Sequence, residues 1–540
     1  MRNLRNTLLP LKINPILLVI LAVAGFFLFF HLDHRPFWQD EAETAGLAKS
    51  ILKTGLPHAF DGVNLISQED GREVNGDYLW RWSPWAQLYI TAAAFHLGGI
   101  STLSGRLPFA FFGLLCVLLV YLLIKREFGD EKWACMAAAL LAFSVPFLLF
   151  SRQCRYYSLG AFLTIASLYF FRSNWQTRLG PACLLVLSLG LLFHANYLLF
   201  GSFLIPMLLA AMLVYPQELP VARTLKLALG IGLIVLPGIM LFQFHSQASL
   251  FRHYDFLSRV LNYLESYYVD LLQFMAPLPI SIYLLWRWRS LLKGKLPTDP
   301  QERFVFFLGL IIVGNIFILL PLPQREYRYL VHLYPLFAII VSWTVCKAYN
   351  YQKFSGVLLA LLLIFTNWLY MIPMTWLKIT NQPMHNDINM LTYPNLPIKN
   401  FLVELFSEYP DVNQSLINFF NRHAKPGEVI LVSYGDLPLQ FYTPFQIMGG
   451  LQGRVPLDNP DWVVKKGYTR YNREYYLNKS ETVILRRLDL SKDYQMVVLP
   501  CPDDFFGNRA DPYYHRFLPP EWMPRLVVYR KNQKTTHEAD

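Results

Sequence analysis

Long apolar runs separated by polar breaks dominate the first two thirds of the chain. A helix needs about 20 apolar residues to cross a bilayer, and about 11 runs approach that length. The predicted spans lie near 14–32, 105–124, 132–150, 157–172, 181–195, 197–215, 227–246, 268–286, 304–322, 330–348 and 355–376. A long polar segment, 33–104, follows the first span, and its amphipathic stretch 85–99 predicts a helix at the membrane interface. The pattern predicts an integral membrane α-helical protein.

The remaining residues, 377–540, have a different composition, which is polar and rich in Pro and Asn. Residues 413–424 are typical of a helix. Short apolar segments bounded by turn residues predict strands at 427–435, 481–488, 494–501 and 525–531. We therefore expect two domains: a multi-span membrane domain over 1–376, with a large first extracytoplasmic loop at 33–104, and a small extracytoplasmic α/β domain over 377–540.

Composition and charge exclude two classes of protein. Charged residues make up only 16% of the chain and apolar residues 54%, against about 25% charged residues in soluble domains, so neither a soluble enzyme nor a disordered chain is expected. The net charge of +11 is concentrated in alternate loops, as the positive-inside rule requires of a membrane protein, and gives no indication of nucleic-acid binding. With an odd number of spans, the first long loop and the tail lie outside the cytoplasm.

The first polar segment holds the most informative residues. Asp40, Glu41 and Glu43 follow two aromatic residues next to a predicted membrane surface. One interpretation is a helix N-terminus, where acidic residues interact favourably with the helix dipole. The other is a carboxylate that accepts a proton from an attacking hydroxyl. The spacing of the acids does not decide between the two.

An Asp-Glu pair that opens the first extracytoplasmic loop resembles the GT-C superfamily of glycosyltransferases, which use polyprenyl-phosphate sugars. Three further stretches agree in order: SPWAQLYITAAAFHLGG with SGRLPFAFFGLLCVLLVYLL, then SRQCRYYSLGAFLTIASLYFF, then REYRYLVHLYPLFAII. The chain is similar to protein O-mannosyltransferases, to the lipid A aminoarabinose transferase and to the bacterial group between them. The resemblance covers roughly residues 14–350.

The resemblance implies a GT-C fold and a sugar donor anchored in the bilayer by its isoprenoid phosphate. The expected reaction is an inverting displacement at the anomeric carbon by a hydroxyl of a glycan, lipid or protein on the extracytoplasmic face. Asp40 matches the catalytic or acceptor-binding aspartate of the family, and Glu41 is its partner, with either a catalytic or a structural role. Many relatives are bacterial inner-membrane enzymes, and no cofactor is implied with certainty.

Arginines on the predicted extracytoplasmic side are candidates for binding the donor phosphate. Arg152 and Arg155 lie at a membrane border, and Arg325 and Arg328 repeat their spacing; residues three apart on a helix share a face. Arg is well suited to phosphate because of its bidentate geometry. The alternative is that these residues pair with acids of the first loop or extend to lipid headgroups.

Three more arginines join this set with weaker support. Arg252 and Arg259 lie in the loop after the seventh span, which closes over the donor in relatives. Arg81 precedes Trp-Ser-Pro, where many relatives have a charged residue and then Pro-Pro. The family's cation is therefore either replaced by Arg81 at a shifted position or absent.

The segment 61–82 carries five acids, which could shape an acceptor groove or bind a divalent cation, although their spacing matches no known metal loop. The candidate substrate-binding residues are Glu43, Asp77, Tyr156 and His194. For His194, at a predicted membrane edge, a hydrogen bond to a backbone carbonyl is the alternative to lining the cavity.

Two other classes of protein compete with the glycosyltransferase. A transporter or flippase of a lipid-linked sugar should have paired half repeats and broken helices near the midplane, and no repeat is evident. A scaffold gives no reason for acids and arginines to share one membrane surface. We therefore favour a glycosyltransferase, with the transporter as the alternative; neither the sugar nor the acceptor follows from the sequence.

Overall fold

The computed structural model describes residues 14–242, 256–289, 294–322, 325–377, 391–408, 411–452, 459–466, 487–519 and 522–532. Helices dominate the first part of the chain. The first ten are α1 (Pro15–Phe29), α2 (Gln39–Thr54), α3 (Ala86–Gly98), α4 (Thr102–Phe128), α5 (Glu131–Ala142), α6 (Val145–Ser151), α7 (Tyr157–Phe171), α8 (Leu179–Ala195), α9 (Tyr197–Val214) and α10 (Val221–Leu241).

The second group of helices continues to the start of the C-terminal region. It comprises α11 (Phe256–Phe274), α12 (Leu278–Arg287), α13 (Pro300–Leu319), a 3-10 helix (Tyr327–Leu333) that leads into α14 (Tyr334–Tyr351), α15 (Lys353–Phe365), α16 (Trp368–Trp376) and α17 (Pro397–Phe406). The segment that contains the 3-10 helix and α14 is almost wholly buried, so it forms the centre of the helical bundle.

Within the described residues, five helices are long and apolar enough to cross a membrane, or up to eight if each of three bent pairs counts as one span. Every predicted span coincides with one of these, or with a shorter apolar helix: α1, α7 or α8. The multi-span prediction is thus supported, whereas the count of 11 stays a prediction. The helix predicted at 85–99 is present as α3.

Three predicted spans are not continuous helices. The helices α5 and α6 meet at 65°, α11 and α12 at 106°, and α15 and α16 at 85°. Proline explains the first two breaks, because it cannot donate a backbone hydrogen bond inside a helix: Pro146 lies in the first turn of α6, and Pro277 and Pro279 stand at the start of α12. At the third break, the side-chain amide of Asn367 donates to the carbonyls of Leu391 and Tyr393.

The C-terminal region contains a five-stranded sheet within its described residues, in the order β2-β1-β3-β5-β4. Its elements are α18 (Val412–His423), β1 (Val429–Val432), α19 (Asp436–Tyr442), β2 (Gln446–Gly449), β3 (Trp462–Val464), β4 (Tyr494–Pro502) and β5 (Arg525–Lys531). Strands β1, β2 and β3 are parallel, whereas β5 is antiparallel to β3 and to β4.

The predicted α/β character of this region is therefore seen in the structure. The helix predicted at 413–424 and the strands predicted at 427–435, 494–501 and 525–531 correspond to α18, β1, β4 and β5. The strand predicted at 481–488 lies outside the described residues except for its last two positions. The sequence reasoning missed β2 and β3, which have four and three residues.

The C-terminal sheet packs against the first polar loop. The side-chain amide of Gln39, in the first turn of α2, donates to Asp436 Oδ1 (2.7 Å) at the start of α19. The Tyr442 hydroxyl, at the end of α19, accepts from the backbone N–H of Phe37 (3.0 Å) and bonds the Thr102 hydroxyl (2.6 Å). These contacts fix the first turn of α2 between the helical bundle and the sheet.

Candidate functional site

Glu41 anchors the first turn of α2. Its side chain is fully buried and accepts hydrogen bonds from Arg106 Nε (2.8 Å) and Nη2 (2.7 Å), from the backbone N–H of Cys154 (2.7 Å) and from that of Trp38 (3.3 Å). The bond to Trp38 belongs to a capping box, which satisfies the free N–H groups at the start of a helix. Both carboxylate oxygens are thus occupied, and Glu41 joins α2 to α4 and to the turn before α7.

Arg106 completes this anchor from α4. Its Nη1 donates to the carbonyls of Leu32 (2.9 Å) and Arg35 (2.9 Å), and its Nη2 to that of Pro36 (3.1 Å). A buried guanidinium is stable only when its donors and its charge are both compensated. Here the chain between α1 and α2 supplies the acceptors, and Glu41 supplies the charge.

Asp40 lies one residue earlier, in a different environment. Its Oδ2 accepts from Arg328 Nη1 in a close ion pair, and its Oδ1 from Gln68 Nε2 (3.3 Å). Arg155 Nη1 donates to the Asp40 carbonyl (2.9 Å) and to Glu43 Oε1 (2.6 Å), while Gln68 also donates to Glu43 Oε2 (2.6 Å). We call Asp40, Glu43, Gln68, Arg155 and Arg328 the Asp40 cluster.

The charges around Asp40 keep it ionised. Burial alone would raise the pKa of Asp40, but Arg328, Arg155 and Arg509 outweigh burial and hold the pKa below its ordinary value. A buried carboxylate in such a setting is an anion at neutral pH, with cations next to it.

The helix-face prediction for Arg152 and Arg155 is wrong. The helix α6 ends at Ser151 and α7 begins at Tyr157, so the two arginines lie in a turn and point to different partners. Arg152 donates to the carbonyls of Phe27, Leu28, Phe30 and His31 at the C-terminal end of α1 (2.7–3.2 Å). It therefore caps α1, as a cation at a helix C-terminus is expected to do, and does not join the Asp40 cluster.

Arg325 and Arg328 also separate, because only Arg328 belongs to the 3-10 helix. Arg325 pairs with Asp270 on α11, and Asp270 also accepts from the Tyr513 hydroxyl (2.6 Å) of the C-terminal region. Arg328 alone of the two reaches Asp40. The same spacing thus places one arginine in the cluster and the other in a second ion pair.

The other predicted residues lie apart from the Asp40 cluster or at its edge. Arg81 forms no hydrogen bond or ion pair with the cluster in the described part of the chain. Arg259 donates to the carbonyl of Pro321 (3.4 Å), and Arg252 lies outside the described residues. The exposed Asp77 accepts from the Leu79 N–H (3.0 Å). Among the described residues, Arg81, Arg259 and Asp77 thus form no hydrogen bond or ion pair with Asp40.

Two further candidates make backbone contacts. His194 Nε2 bonds the carbonyl of Ile234 (2.9 Å) on α10, which is the alternative that the sequence left open. Tyr156 is buried beside the cluster, and its N–H donates to Gln87 Oε1 (2.8 Å) on α3. The Tyr156 ring lies beside Arg155 of the cluster, with its centroid 6.0 Å from the guanidinium carbon, whereas His194 joins two helices of the bundle.

The acids of segment 61–82 do not form a metal site in the described residues, where no group of three or more His, Cys, Asp or Glu side chains could hold an ion. Glu73 accepts from the Ser67 hydroxyl (2.6 Å) and from the backbone N–H groups of Gln68 (2.5 Å) and Glu69 (2.8 Å), so it organises the loop. Burial raises the pKa of Glu73 to about 7.

Sequence reasoning missed Gln68 of the cluster and, in the C-terminal region, Arg509. Arg509 ion-pairs with Glu326 (3.4 Å) and Asp511 (3.5 Å), and its guanidinium lies over the rings of Trp38 (5.6 Å) and Tyr514 (4.5 Å). Its charge lowers the pKa of Asp40. No local pattern marks this position, because its surroundings are assembled from distant parts of the chain.

Comparison with known proteins gives a family match over part of the chain and a fold over most of it. Residues 83–242 match the model of the dolichyl-phosphate-mannose-protein mannosyltransferase family, and no curated protein sequence matches the chain. The crystal structure of ArnT from Cupriavidus metallidurans bound to undecaprenyl phosphate superposes with a TM-score of 0.53 at 14% identity, over 95% of this chain and 97% of that one. The chain has a GT-C fold. The resemblance inferred from the sequence is therefore confirmed.

Two further structures are similar to this chain. The apo form of the same ArnT has a TM-score of 0.53 and 15% identity, over 95% of this chain and 97% of that one. The oligosaccharyltransferase of Archaeoglobus fulgidus, in complex with Zn and sulfate, has a TM-score of 0.42 and 13% identity, over 80% of this chain and 62% of that one.

Proposed function

We propose that this chain is a membrane glycosyltransferase that moves a sugar from a polyprenyl-phosphate donor to a hydroxyl acceptor. The observation that carries the proposal is Asp40, a buried carboxylate held ionised by Arg328, Arg155 and Arg509 on a chain with a GT-C fold. An acceptor hydroxyl needs a base, and a departing phosphate needs cations. The cluster offers both within one site.

Asp40 acts as the base in the proposed reaction. The acceptor oxygen attacks the anomeric carbon, the bond from that carbon to the phosphate oxygen breaks, and the phosphate leaves with the bonding electrons. Asp40 takes the hydroxyl proton. A single displacement of this kind inverts the anomeric configuration.

Arg155, Arg328 and Arg509 are our proposed donor-phosphate residues. Arg155 is buried, and its Nε has no hydrogen-bond partner among the described residues, so it retains a donor for an anion. Arg328 already binds the carboxylate of Asp40. A donor phosphate would compete with Asp40 for Arg328. Once Arg328 turns to the phosphate, the pKa of Asp40 rises, and Asp40 becomes a stronger base when the donor is bound.

Glu41 is a positioning residue in this proposal, because its two oxygens are occupied by Arg106 and the backbone. Glu43 and Tyr156 line the site next to Asp40. We further propose that the site and the C-terminal α/β domain face the extracytoplasmic side of a bacterial inner membrane, and that the acceptor is a cell-envelope glycan, a lipid or a protein.

The names and bound ligands of similar proteins support a lipid-phosphate donor. One ArnT structure is described as bound to undecaprenyl phosphate, and the matching family model is named for dolichyl-phosphate-mannose. We therefore propose that the sugar donor of this chain also carries an isoprenoid phosphate, and we assign no particular sugar to it.

One observation favours the alternative, a transporter or flippase of a lipid-linked sugar. The breaks of the three bent helix pairs line a common cavity of about 80 Å³, with Ser144, Pro146, Met275 and Asn367 among its residues. Broken helices that meet at one cavity are found in carriers. The Asp40 cluster, which a carrier does not require, makes the transferase our first choice.

The test is transfer of radiolabelled sugar from polyprenyl-phosphate donors by the purified chain in detergent. Asp40→Asn keeps the size of the side chain but cannot accept the proton, and should lower turnover about a hundredfold or more. Asp33→Asn, an exposed position in the same loop, is the matched control and should keep wild-type turnover. Both variants are first checked for wild-type unfolding temperature.

Two results would contradict the proposal. Near-wild-type turnover of Asp40→Asn would remove Asp40 from the chemistry. No transfer from a broad panel of lipid-linked sugars, together with movement of those lipids between leaflets of vesicles, would establish the transporter instead.

A further inference from the structure

A second polar cavity lies away from the Asp40 cluster. It has a volume of about 350 Å³, and three elements enclose it: α2, the loop residues 58–61 with 77–78, and α19. We call it the α2–α19 pocket. The lining on α2 runs from Ala42 to Thr54 and includes no member of the Asp40 cluster. Lys53 lies 13 residues after Asp40, about 20 Å away along the helix, so the lysine end of the pocket is separate from the cluster.

Two lysines on α2 line this pocket, and the nearest carboxylate, Asp61, acts on Lys49 through its charge without forming an ion pair with it in the described part of the chain. Lys49 and Lys53 are four residues apart, which places like charges side by side on a helix and destabilises it. Lys49 Nζ lies over the ring of Phe441 (4.8 Å) and donates to its carbonyl (3.4 Å). In the described part of the chain neither lysine forms an ion pair. An anion in the pocket would relieve the repulsion.

The loop wall of the pocket presents aromatic rings. The rings of Phe60 and Tyr78 pack with centroids 4.9 Å apart. Tyr78 has a φ of 60°, a left-handed conformation that is costly for an aromatic residue, and its side chain is 43% exposed. Backbone strain of this kind persists where the surrounding structure holds it and clusters at binding sites. Here it keeps an aromatic ring at the pocket wall.

Two carboxylates are among the other polar groups of the pocket. Asp61 Oδ1 accepts from the N–H groups of Val63 (2.9 Å) and Asn64 (2.7 Å), and Asp77 Oδ1 from that of Leu79 (3.0 Å). These bonds fix both carboxylates on the loop, and each carboxylate has a second oxygen. Such oxygens accept hydrogen bonds from hydroxyl groups. The pocket thus combines cations, aromatic faces and hydroxyl acceptors.

We infer that the α2–α19 pocket binds a saccharide that carries an anionic group, a phosphate or a carboxylate. The two lysines bind the anionic group, the Phe60–Tyr78 pair packs against the sugar ring, and Asp61 and Asp77 accept hydrogen bonds from its hydroxyl groups. Binding here does not require the proposed transfer reaction, because no member of the Asp40 cluster lines the pocket.

The test measures binding of four probes to the full chain in detergent by saturation-transfer NMR and calorimetry. The probes are glucose 6-phosphate, glucuronate, glucose and inorganic phosphate. At least one of the two charged sugars should bind with a Kd at least about tenfold below those of glucose and of inorganic phosphate, a difference of about 1.4 kcal/mol. The tighter of the two identifies phosphate or carboxylate as the anionic group.

Variants locate the binding. Lys53→Met and Tyr78→Ala should each weaken the charged sugar about tenfold, which a lost charge-assisted bond or ring contact accounts for. Lys425→Met, an exposed lysine on the C-terminal region, is the matched control and should bind as wild type. Asp40→Asn should also bind as wild type, so that failure of the proposed transfer reaction and failure of this site are told apart.

Four results would overturn the inference. They are no binding of any probe, equal affinity for glucose and the charged sugars, equal affinity for inorganic phosphate and the charged sugars, and unchanged binding by Lys53→Met. Because Lys53 is exposed, its variant should fold even if Tyr78→Ala does not.

Discussion

Replacing Glu41 by Gln should destabilise the chain, because it leaves Arg106 buried without a counter-charge. The side chains of Arg106 and Glu41 are 5% and 0% exposed. Glu41 accepts two hydrogen bonds from Arg106 and a third from the Cys154 N–H. A Gln amide keeps one acceptor oxygen but directs an NH₂ group at one of these donors. Removing one partner of a buried ion pair costs about 3–5 kcal/mol.

Thermal unfolding of the purified chain in detergent, followed by tryptophan fluorescence, measures this loss. We expect the midpoint to fall by several degrees. Glu131→Gln is the matched control, because Glu131 pairs with Lys125 at the surface, with side chains 48% and 39% exposed. Exposed pairs contribute about 0–1 kcal/mol, so the control should unfold close to wild type.

The double variant Glu41→Gln/Arg106→Met separates a structural role of Glu41 from a role in the reaction. Removing both charges leaves no uncompensated ion, so the double variant should be more stable than the sum of the single losses predicts. If Glu41→Gln unfolds at the wild-type temperature yet loses turnover, Glu41 takes part in the reaction, and our reasoning on its positioning role is refuted. If the stability losses of the two single variants add up to the loss of the double variant, Glu41 and Arg106 are not energetically coupled.

Three further predictions follow from the contacts. Arg328→Met should raise the pKa of Asp40, because burial is then opposed by fewer cations; the acidic limb of kcat/KM against pH should move up, and the donor KM should rise about tenfold or more. An unmoved limb would contradict this. Arg152→Met should lower the unfolding temperature but leave the donor KM unchanged, and a raised KM would place Arg152 in the site. Burial and Asp70 raise the pKa of Glu69 from 4.5 to about 7, so the folded state binds this proton more tightly and the free energy of unfolding falls as the pH rises from about 4.5 to about 7. Burial raises the pKa of Glu73 to about 7 as well, so Glu69→Gln should make this decline less steep, in denaturation at each pH, without abolishing it; an equally steep decline would exclude Glu69 as a source.

The hydrophobic pattern located the helices because burial in a bilayer requires long apolar runs whatever their tertiary packing. It did not reveal the 106° bend between α11 and α12, since the segment stays apolar on both sides of the bend. Pro277 and Pro279, at the start of α12, were the sequence feature from which this bend could have been predicted. Strands β2 and β3 were missed because four and three residues are too few for a period to emerge.

The site was predictable only where a short motif carried it. Asp40 and Glu41 were found because adjacent acids at a membrane surface are electrostatically unusual. The reasoning from helical spacing failed for Arg152 and Arg155. Residues three apart share a face only within a helix, and these two lie in a turn. Arg509 was not predicted, since its ion-pair partner Glu326 lies 183 residues away in the sequence and its other partner, Asp511, forms no known motif with it.

The C-terminal sheet explains why a distant arginine can reach Asp40. In a sheet with parallel strands, the carboxyl ends are the edge where ligands bind, and that edge of β1 and β2 faces α2. After β1, Asp436 accepts from Gln39 (2.7 Å), the neighbour of Asp40; after β2, the Leu451 carbonyl accepts from the Asp70 N–H (3.0 Å). The C-terminal region thus closes over the first turn of α2. Without it, Asp40 would lose both this cover and the charge of Arg509, so the carboxylate depends on the sheet as well as on the helical bundle.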